Sequence, residues 1–111
     1  MKKINRIQKR SEFERLRDNG RLMPGKLVGM LWLKDENEEE NKFGFIISKK
    51  ISKKAVDRNR IKRLLSEAIK MNLDKIKSKG NKVVFLAKKT MLDKKMAEVV
   101  PEMELMLGKI K

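Results

Sequence analysis

A dense block of cationic side chains lies in the middle of the sequence, between Lys49 and Arg63. It holds eight lysines and arginines against one carboxylate, Asp57. Ordinary helix surfaces intersperse the two signs, because like charges four residues apart repel each other. The block is also rich in arginine, whose guanidinium can donate two parallel hydrogen bonds to one phosphate. The pattern therefore predicts an RNA-binding site, with candidate residues Lys49, Lys50, Lys53, Lys54, Arg58, Asn59, Arg60, Lys62 and Arg63.

The residue types that most often carry out catalysis or hold transition metals are missing. The chain contains no Cys and no His. Thiol nucleophiles, disulfides, zinc fingers and imidazole acid–base catalysis are therefore excluded. Tyr is absent and aromatic residues make up only 5% of the chain, so stacking of several bases on a platform of rings is not expected. We expect no catalytic residue and no metal ligand, and a contribution through binding.

Length and charge bound the rest of the interpretation. The 111 residues favour a single domain over 1–111. Thirty basic residues against 15 acidic ones give a net charge of +15, which favours polyanionic partners. No apolar run reaches the length of a membrane span, and the basic arm at 1–10 lacks the apolar core of a signal peptide. We therefore expect a cytoplasmic protein.

The cationic block lies on a predicted amphipathic helix. An apolar stripe recurs at helical spacing and should face the core; it consists of Ile61, Leu64, Leu65, Ala68 and Ile69. At 100° per residue, the opposite side is expected to carry Asn59, Arg63, Ser66 and Lys70. Arg58 and Lys62 should flank one edge of the stripe, and Arg60 and Glu67 the other. Arg63 and Glu67 can form a pair four residues apart, and Asp57 or Ser52 can stabilise the helix start.

A shorter helix is predicted near the amino terminus. Ser11 and Glu14 fit a capping box, and Gly20 should end the helix in a left-handed conformation. Phe13 and Leu16 share one helix face beside Arg17. That face fits either core packing or a partly exposed ligand surface.

Two strands are predicted over Lys26–Lys34 and Phe43–Ser48. We expect them to pair antiparallel across the acidic segment 35–41, which we interpret as a solvated hairpin loop directed away from RNA and not as a metal site. Gly44 indicates a close approach of another group to the backbone.

The carboxyl-terminal part predicts one strand and one helix. The apolar run Val83–Ala87 is typical of a strand covered on both faces, and it should lie parallel to the strand that precedes the basic helix. A last packing helix is predicted over Met91–Gly108, bent or divided at Pro101.

These residues together resemble a known family. Arg58-Asn59-Arg60, followed by Lys62-Arg63 and Glu67, resembles the RNR signature of the bacterial ribonuclease P protein component. The strand and Lys-Lys step at 44–50, the helix at 13–20 and the final strand at 83–89 also resemble that family, in the same order. The signature and its preceding strand are the most specific part of the resemblance.

The resemblance implies an α+β fold. It is a single αβββαβα domain whose four-stranded sheet is packed by helices, with an RNR helix region at 51–72. The fold is similar to a domain of a small-subunit ribosomal protein. Its βαβ crossover is left-handed, against the general rule, and it includes a short strand that the residue pattern does not show.

The resemblance also implies a role in removing the 5′ leader of precursor tRNA. In that family the RNA subunit is the catalyst and binds Mg²⁺, so Mg²⁺ is expected for the holoenzyme and not as a tightly bound ion of this chain. The expected partners are the ribonuclease P RNA and precursor tRNA, without a membrane or an obligate protein partner. Arg60 and Arg63 should meet the catalytic RNA. A cleft for the leader is expected to involve Phe13, Arg17, Gly29, Leu31, Arg58, Asn59 and Lys62.

The chain departs from the family pattern at four positions. Arg17 stands where many relatives carry an aromatic residue, and Gly29 and Leu31 stand where bulkier or aromatic residues line the cleft. Ser66 replaces a further arginine that is common in the signature. The cleft is therefore expected to stack less and to use charge more.

Three other functions fit parts of the sequence. A ribosomal-type RNA-binding protein without a role in cleavage has the same size and charge. A helix-turn-helix DNA-binding protein could use 55–70 for recognition, although such domains are usually all-helical. A free-standing nuclease would need clustered carboxylates, for which only the acidic segment 35–41 is available.

Overall fold

The structure is a computed structural model that describes residues 4–110, so the first three residues of the basic arm lie outside it. The strands and helices, in chain order, are β1 (Asn5–Arg6), α1 (Arg10–Asn19), β2 (Arg21–Met23), β3 (Val28–Lys34), β4 (Lys42–Ile46), α2 (Ala55–Met71), β5 (Asn81–Ala87) and α3 (Met96–Leu107). Single 3-10 turns follow α2 at Leu73–Lys75 and β5 at Lys89–Asp93.

The strands form one mixed sheet in the order β1-β4-β5-β3-β2. β5 pairs parallel with β4 and antiparallel with β3, so the expected parallel pairing is confirmed. The expected antiparallel pairing of β3 with β4 is wrong, because β5 lies between them. The physical reason is the continuous apolar run of β5, which is buried on both faces and is stabilised by a paired strand on either side.

Two short strands extend this sheet. β2 follows α1 directly and pairs antiparallel with β3, while the two-residue β1 pairs parallel with β4. β2 to β5 supply the four strands that the family resemblance implied, and β1 makes a fifth. Strands of two or three residues are too short to give an alternating pattern in sequence.

The sheet separates two apolar layers. α2 and α3 cover one face, where the core includes Val28, Met30, Phe43, Val83 and Phe85. α1 covers part of the other face, where Ile7, Leu16 and Val84 are buried together, with Phe13, Leu31, Leu33 and Leu86 packed around them. Side chains along β3 and β5 thus alternate between the two layers, and the prediction that β5 is covered on both faces is confirmed.

α2 follows the predicted stripe with two corrections. Ile61, Leu65, Ala68 and Ile69 are fully buried, whereas Leu64 is half-buried. Ser66 was expected on the exposed side, but only 5% of it is exposed.

The side chain of Arg6 makes two contacts beside Ser66. Arg6 lies with its guanidinium carbon 5.0 Å from the centre of the Phe45 ring, and its Nη2 donates a hydrogen bond to Ser66 Oγ. Glu67 pairs with Lys70 at 3.2 Å and not with Arg63.

The helix ends differ from the sequence expectations. α1 begins after Lys9 without a side-chain cap, so the predicted Ser11 capping box is wrong. Gly20 has φ −76° and ψ 159°, because the chain continues straight into extended β2; the left-handed ending is also wrong. Ser52 lies before α2, where its Oγ accepts from the Lys54 amide and donates to Asp57.

The last helix is divided earlier than predicted. The break lies at Lys94–Lys95, and α3 continues through Pro101. Proline leaves the carbonyl four residues earlier without its helical donor. Here that carbonyl belongs to Ala97, an exposed residue, so water can satisfy it.

A cluster of five charged side chains fastens α1 to the sheet. Lys82 Nζ lies 3.4 Å from Glu12 Oε2 and 3.6 Å from Asp35 Oδ2, and its side chain is only 6% exposed. Lys42 Nζ lies 3.8 Å from the same Glu12 oxygen, and Arg15 Nη1 bonds Asp35 Oδ2 at 3.1 Å. Glu12 and Arg15, one turn apart on α1, thus form ion pairs with β4 and β5 and with Asp35, in the segment that follows β3.

The acidic segment 35–41 is accordingly not a fully solvated hairpin loop. It connects β3 to β4 across the end of β5, and Asp35 is turned toward the cluster. The Asn37 amide donates to Asp35 Oδ1, and together with Arg15 and Lys82 it holds the pKa of Asp35 below its ordinary value, although desolvation opposes the shift. The ionised form of Asp35 is therefore the one that the fold favours.

The amino-terminal end of β5 is fixed by close packing of backbone and amide groups. Gly80 has φ +76°, and a Cβ there would lie 2.2 Å from the Asp35 carbonyl oxygen. Asn81 is fully buried; it accepts from the Trp32 indole N–H at 2.8 Å and donates to Asn41 Oδ1. These contacts set where β5 enters the sheet.

We predict that Gly80→Ala lowers the free energy of unfolding by about 2 kcal/mol or more, because a side chain there meets both a left-handed backbone and a steric clash. Gly29→Ala is the matched control, since its added Cβ would meet only ordinary contacts at 3.8 Å; we expect a change within about 0.5 kcal/mol. Urea unfolding measures both. Equal stability of the two variants would contradict this account of β5.

We predict that Asp35→Asn lowers stability at neutral pH and flattens the loss of stability in acid. Folding lowers the pKa of Asp35. Its carboxylate therefore stabilises the fold above the unfolded-state pKa of about 4, and that contribution is lost as the pH falls through the lower folded-state pKa. Urea unfolding between about pH 7 and pH 2 measures the effect. Glu36→Gln, at an exposed position one residue away, is the control; an identical pH profile for both variants would refute the prediction.

Candidate nucleic-acid interface

An open groove of about 600 Å³ lies on the α1 face of the sheet. Its walls are apolar where α1, β2, β3, β4 and β5 meet, and charged along α1. The lining residues are Arg10, Phe13, Glu14, Arg17, Gly20, Leu22, Leu31, Ile46, Val84 and Leu86. Leu22 and Ile46 are among the most exposed large apolar side chains of the described part of the chain. Such a groove can receive an apolar or aromatic group of a ligand.

Phe13 is the aromatic residue of this groove. Its position depends on Gly44, because a Cβ at that position would lie 2.9 Å from Phe13 Cε1. The close approach expected at Gly44 is therefore confirmed, and the group that approaches is the Phe13 ring. Phe13 packs against the buried Leu16 cluster and also lines the groove, so it combines the two roles that its sequence position left open.

The rim of the groove along α1 carries two guanidinium groups. Arg10 pairs with Glu14 at 3.2 Å and Arg17 with Asp18 at 3.2 Å. Both cations are highly exposed, and such pairs contribute little in water. They remain available to a phosphate that enters the groove.

The predicted basic residues lie where β4 ends and α2 begins. β4 ends at Ile46, which lines the groove, and Lys49 and Lys50 follow in the connection to α2. The connection 47–54 leads from this end of β4 to the first turn of α2. The groove and the cationic segment are therefore continuous along the chain.

Two of the predicted arginines are held by backbone carbonyl groups. Arg58 Nη1 donates to Ser52 O at 2.8 Å. Arg60 donates to Leu92 O at 3.1 Å and to Lys94 O at 2.5 Å. The Arg60 guanidinium thus reaches across to the turn before α3. A guanidinium has five donors, so Arg60 retains N–H groups for a further acceptor.

The other cationic side chains of the segment have no such fixed partner. Within residues 4–110, none of them forms a hydrogen bond or ion pair through its side chain, and all are exposed; they are Lys49, Lys50, Lys53, Lys54, Lys62 and Arg63, together with the amide of Asn59. Val56 is also 77% exposed in this segment. The surface is thus an array of free cations beside one apolar side chain.

The structure brings the predicted cleft residues only partly together. Phe13, Arg17 and Leu31 line the groove, and Gly29 lies beside it, with Leu22 and Leu86 nearest to where its Cβ would be. Arg58, Asn59 and Lys62 do not line the groove; they lie on the first two turns of α2. The predicted cleft therefore divides into the groove and the adjoining cationic segment.

Sequence reasoning missed several groove residues. Val84 and Leu86 alternate with the core residues of β5, and a period of two could have placed them on this face. Leu22 lies on a strand too short to give such a signal. Lys82, which does not line the groove, was missed as well, because the predicted strand begins one residue later, at Val83.

The described residues offer no fit for a Mg²⁺ ion. Among residues 4–110, no three carboxylate, His or Cys side chains come together in a geometry that could hold a metal. Asp35, a half-buried carboxylate of the acidic segment, is engaged by Arg15 and Lys82.

Comparison with known proteins shows a consistent relationship. The family model described as Ribonuclease P matches residues 1–111. A ribonuclease P protein component of Alkaliphilus oremlandii is 33% identical over 99 residues, covering 89% of this chain and 84% of the relative. One from Clostridium botulinum strain 657 is 36% identical over 92 residues, covering 83% and 81%.

Solved structures show the same fold. The ribonuclease P protein of Thermotoga maritima superimposes with a TM-score of 0.84 at 22% identity, covering 96% of this chain and 98% of its own. The Staphylococcus aureus protein gives a TM-score of 0.83 at 24% identity, covering 97% and 98%. The fold implied by the sequence resemblance is thereby confirmed. Since the family model spans the full sequence and relatives above 30% identity cover most of it, the chain belongs to the ribonuclease P protein family.

Proposed function

We propose that this chain is the protein subunit of ribonuclease P, which binds the catalytic RNA and the 5′ leader of precursor tRNA and so promotes removal of the leader. The observation that supports this most directly is the pairing of two different surfaces. One is the groove, which is apolar with an aromatic wall and an arginine rim. The other is the cationic segment at 49–63, which is nearly free of side-chain partners.

The groove suits a single-stranded leader. A nucleobase has an apolar face that can stack on Phe13 or pack on Leu22 and Leu31, and the arginines of α1 can meet the backbone phosphates. With one aromatic side chain, the groove holds bases mainly through aliphatic contact and charge. We therefore expect tolerance of leader sequence.

The cationic segment suits structured RNA. Its exposed lysines and Arg63 can displace counterions from phosphates, which provides affinity without sequence readout. Arg58 and Arg60 present guanidinium groups already oriented by backbone carbonyls, so less side-chain freedom is lost when they bind. We propose that Lys62 and Arg63 contact the ribonuclease P RNA, and that Arg58 and Asn59 lie where the two RNAs meet.

In this proposal the chain binds and orients, and the RNA catalyses. Mg²⁺ would be held by the RNA subunit and the substrate, which supply the phosphate oxygens that the ion prefers. The partners would be the ribonuclease P RNA and precursor tRNA, in the bacterial cytoplasm where tRNA is processed. No helix among residues 4–110 is long and apolar enough to cross a membrane.

Two of the competing interpretations lose support. The helix-turn-helix interpretation is wrong, because α2 packs on a five-stranded sheet. A ribosomal-type role without cleavage is not favoured, since the relatives are ribonuclease P protein components.

We predict that Phe13→Ala weakens binding of leader-bearing precursor to the reconstituted holoenzyme more than binding of mature tRNA. A base stacked on an aromatic ring contributes about 1–3 kcal/mol, so we expect the affinity ratio of precursor to mature tRNA to fall by about fivefold or more. Leu105→Ala removes an exposed apolar group, on α3 and outside the groove, and should leave the ratio unchanged. Equal weakening of both RNAs by Phe13→Ala would show that this ring acts only in the core.

We predict that Lys62→Ala with Arg63→Ala reduces the salt dependence of binding to the ribonuclease P RNA. Each neutralised phosphate contributes about 0.7–0.9 to the slope of log K against log salt, so the slope should flatten by about 1.4–1.8. Filter binding over a range of salt concentrations measures it.

The matched control is Lys75→Ala with Lys79→Ala. It removes the same charge, but these lysines are paired with Glu104 and Glu39, each at 3.6 Å. The control should leave the slope nearly unchanged. The same flattening in both double variants would mean that net charge, and not this segment, provides the contacts.

A further inference from the structure

The charged cluster that fastens α1 lies beside the groove but contributes no residue to its lining. Its members are Glu12, Arg15, Asp35, Lys42 and Lys82. Lys42 and Lys82 stand directly opposite each other on the parallel strands β4 and β5. Like charges in that arrangement repel. The carboxylates of Glu12 and Asp35 offset this repulsion between the two lysines. The cluster is more than a surface ion pair, because Lys82 is almost completely buried.

Helix geometry places this cluster across α1 from the groove. At 100° per residue, Glu12 and Arg15 lie on one side of the buried Leu16, and Phe13 and Arg17 lie on the other. The cluster therefore holds one flank of α1 while the groove is formed by the opposite flank. Rotation of α1 about its axis would move both flanks together.

The Phe13 ring, on the groove flank of α1, has little room to move toward β4. Its ring lies so close to Gly44 that a single added Cβ would clash. On the opposite flank of α1, Glu12 is held by attraction to the ammonium groups of Lys42 and Lys82. Glu12 Oε2 has both groups within 3.8 Å and no hydrogen bond, so this attraction depends on distance and not on hydrogen-bond direction. Without the cation at Lys82, Glu12 would keep only the more distant ammonium group of Lys42, at 3.8 Å. A carboxylate that has lost its nearer cation is costly in a partly buried site, so Glu12 would turn toward water.

We propose that Lys82 is a positioning residue for leader recognition, which acts through Glu12 by fixing the rotation of α1 and hence the place of Phe13 over Gly44. The inference rests on the proposed function of the groove. It assigns a role in substrate recognition to a buried lysine that contacts no groove-lining residue through its ammonium group.

The test uses Lys82→Met in the holoenzyme reconstituted with the ribonuclease P RNA. Methionine keeps an unbranched apolar stem of similar length and removes only the cation. The measurement is the ratio of the affinities for leader-bearing precursor and mature tRNA. We expect this ratio to fall by about three- to tenfold, with affinity for the ribonuclease P RNA within about twofold of the unaltered protein.

Lys79→Met is the matched control. It removes one lysine three positions earlier, whose ion pair with Glu39 is exposed on both sides and does not involve α1. The ratio should stay within about twofold for this variant. A fall as large as that of Lys82→Met would overturn the proposal, because it would show an effect of charge alone.

A double-mutant cycle with Phe13→Ala separates positioning from general destabilisation. If Lys82 acts through the ring, then Lys82→Met causes no further fall in the ratio once Phe13 is alanine. Fully multiplicative effects would overturn the proposal, and so would a lower melting temperature with an unchanged ratio. Should Lys82→Met fail to fold, Glu12→Gln carries the same test, because it removes the charge from the other end of the pair.

The outcomes also separate this inference from the proposed function. If Phe13→Ala changes the ratio and the cluster variants do not, the groove binds the leader and the positioning role is overturned. If Phe13→Ala itself leaves the ratio unchanged, the groove assignment is overturned together with the inference.

Discussion

β5 must be covered on both faces and paired along both edges, and the arrangement of the other elements follows from that constraint. Its alternating residues supply both apolar layers: Val83 and Phe85 face α2 and α3, while Val84 faces α1. Parallel pairing with β4 requires a crossover, and α2 provides it. Because the crossover starts where β4 ends, the cationic segment begins at the edge of the sheet beside the groove.

This arrangement explains how a chain of 111 residues can offer two unlike surfaces. The sheet keeps the anchoring stripe of α2 on one face and leaves the other face only partly covered by α1. The uncovered part becomes the groove. The excess of cations is concentrated on an exposed connection and helix start, where it does not have to be buried. Repulsion among these cations is relieved when phosphates bind, and this relief favours binding of an anionic partner.

Much of this could be predicted from sequence where the pattern was periodic. The stripe Ile61–Ile69 and the apolar run of β5 gave the main helix, the central strand and their parallel relation. Strand order and contacts between distant segments leave no such periodic pattern in the sequence. The insertion of β5 between β3 and β4 depends on pairing across the whole chain, and the burial of Ser66 depends on Arg6, sixty residues away. The reach of Arg60 to Leu92 likewise involves two distant segments.

The most direct measurement of the two-surface account uses the absence of cysteine in the chain. A single cysteine can be introduced by Leu22→Cys in the groove or by Arg63→Cys on α2, and each can carry a photo-crosslinking group in the assembled holoenzyme with bound precursor tRNA. The account predicts crosslinks to the 5′ leader from position 22 and to the ribonuclease P RNA from position 63. Crosslinks from both positions to the same RNA would contradict it.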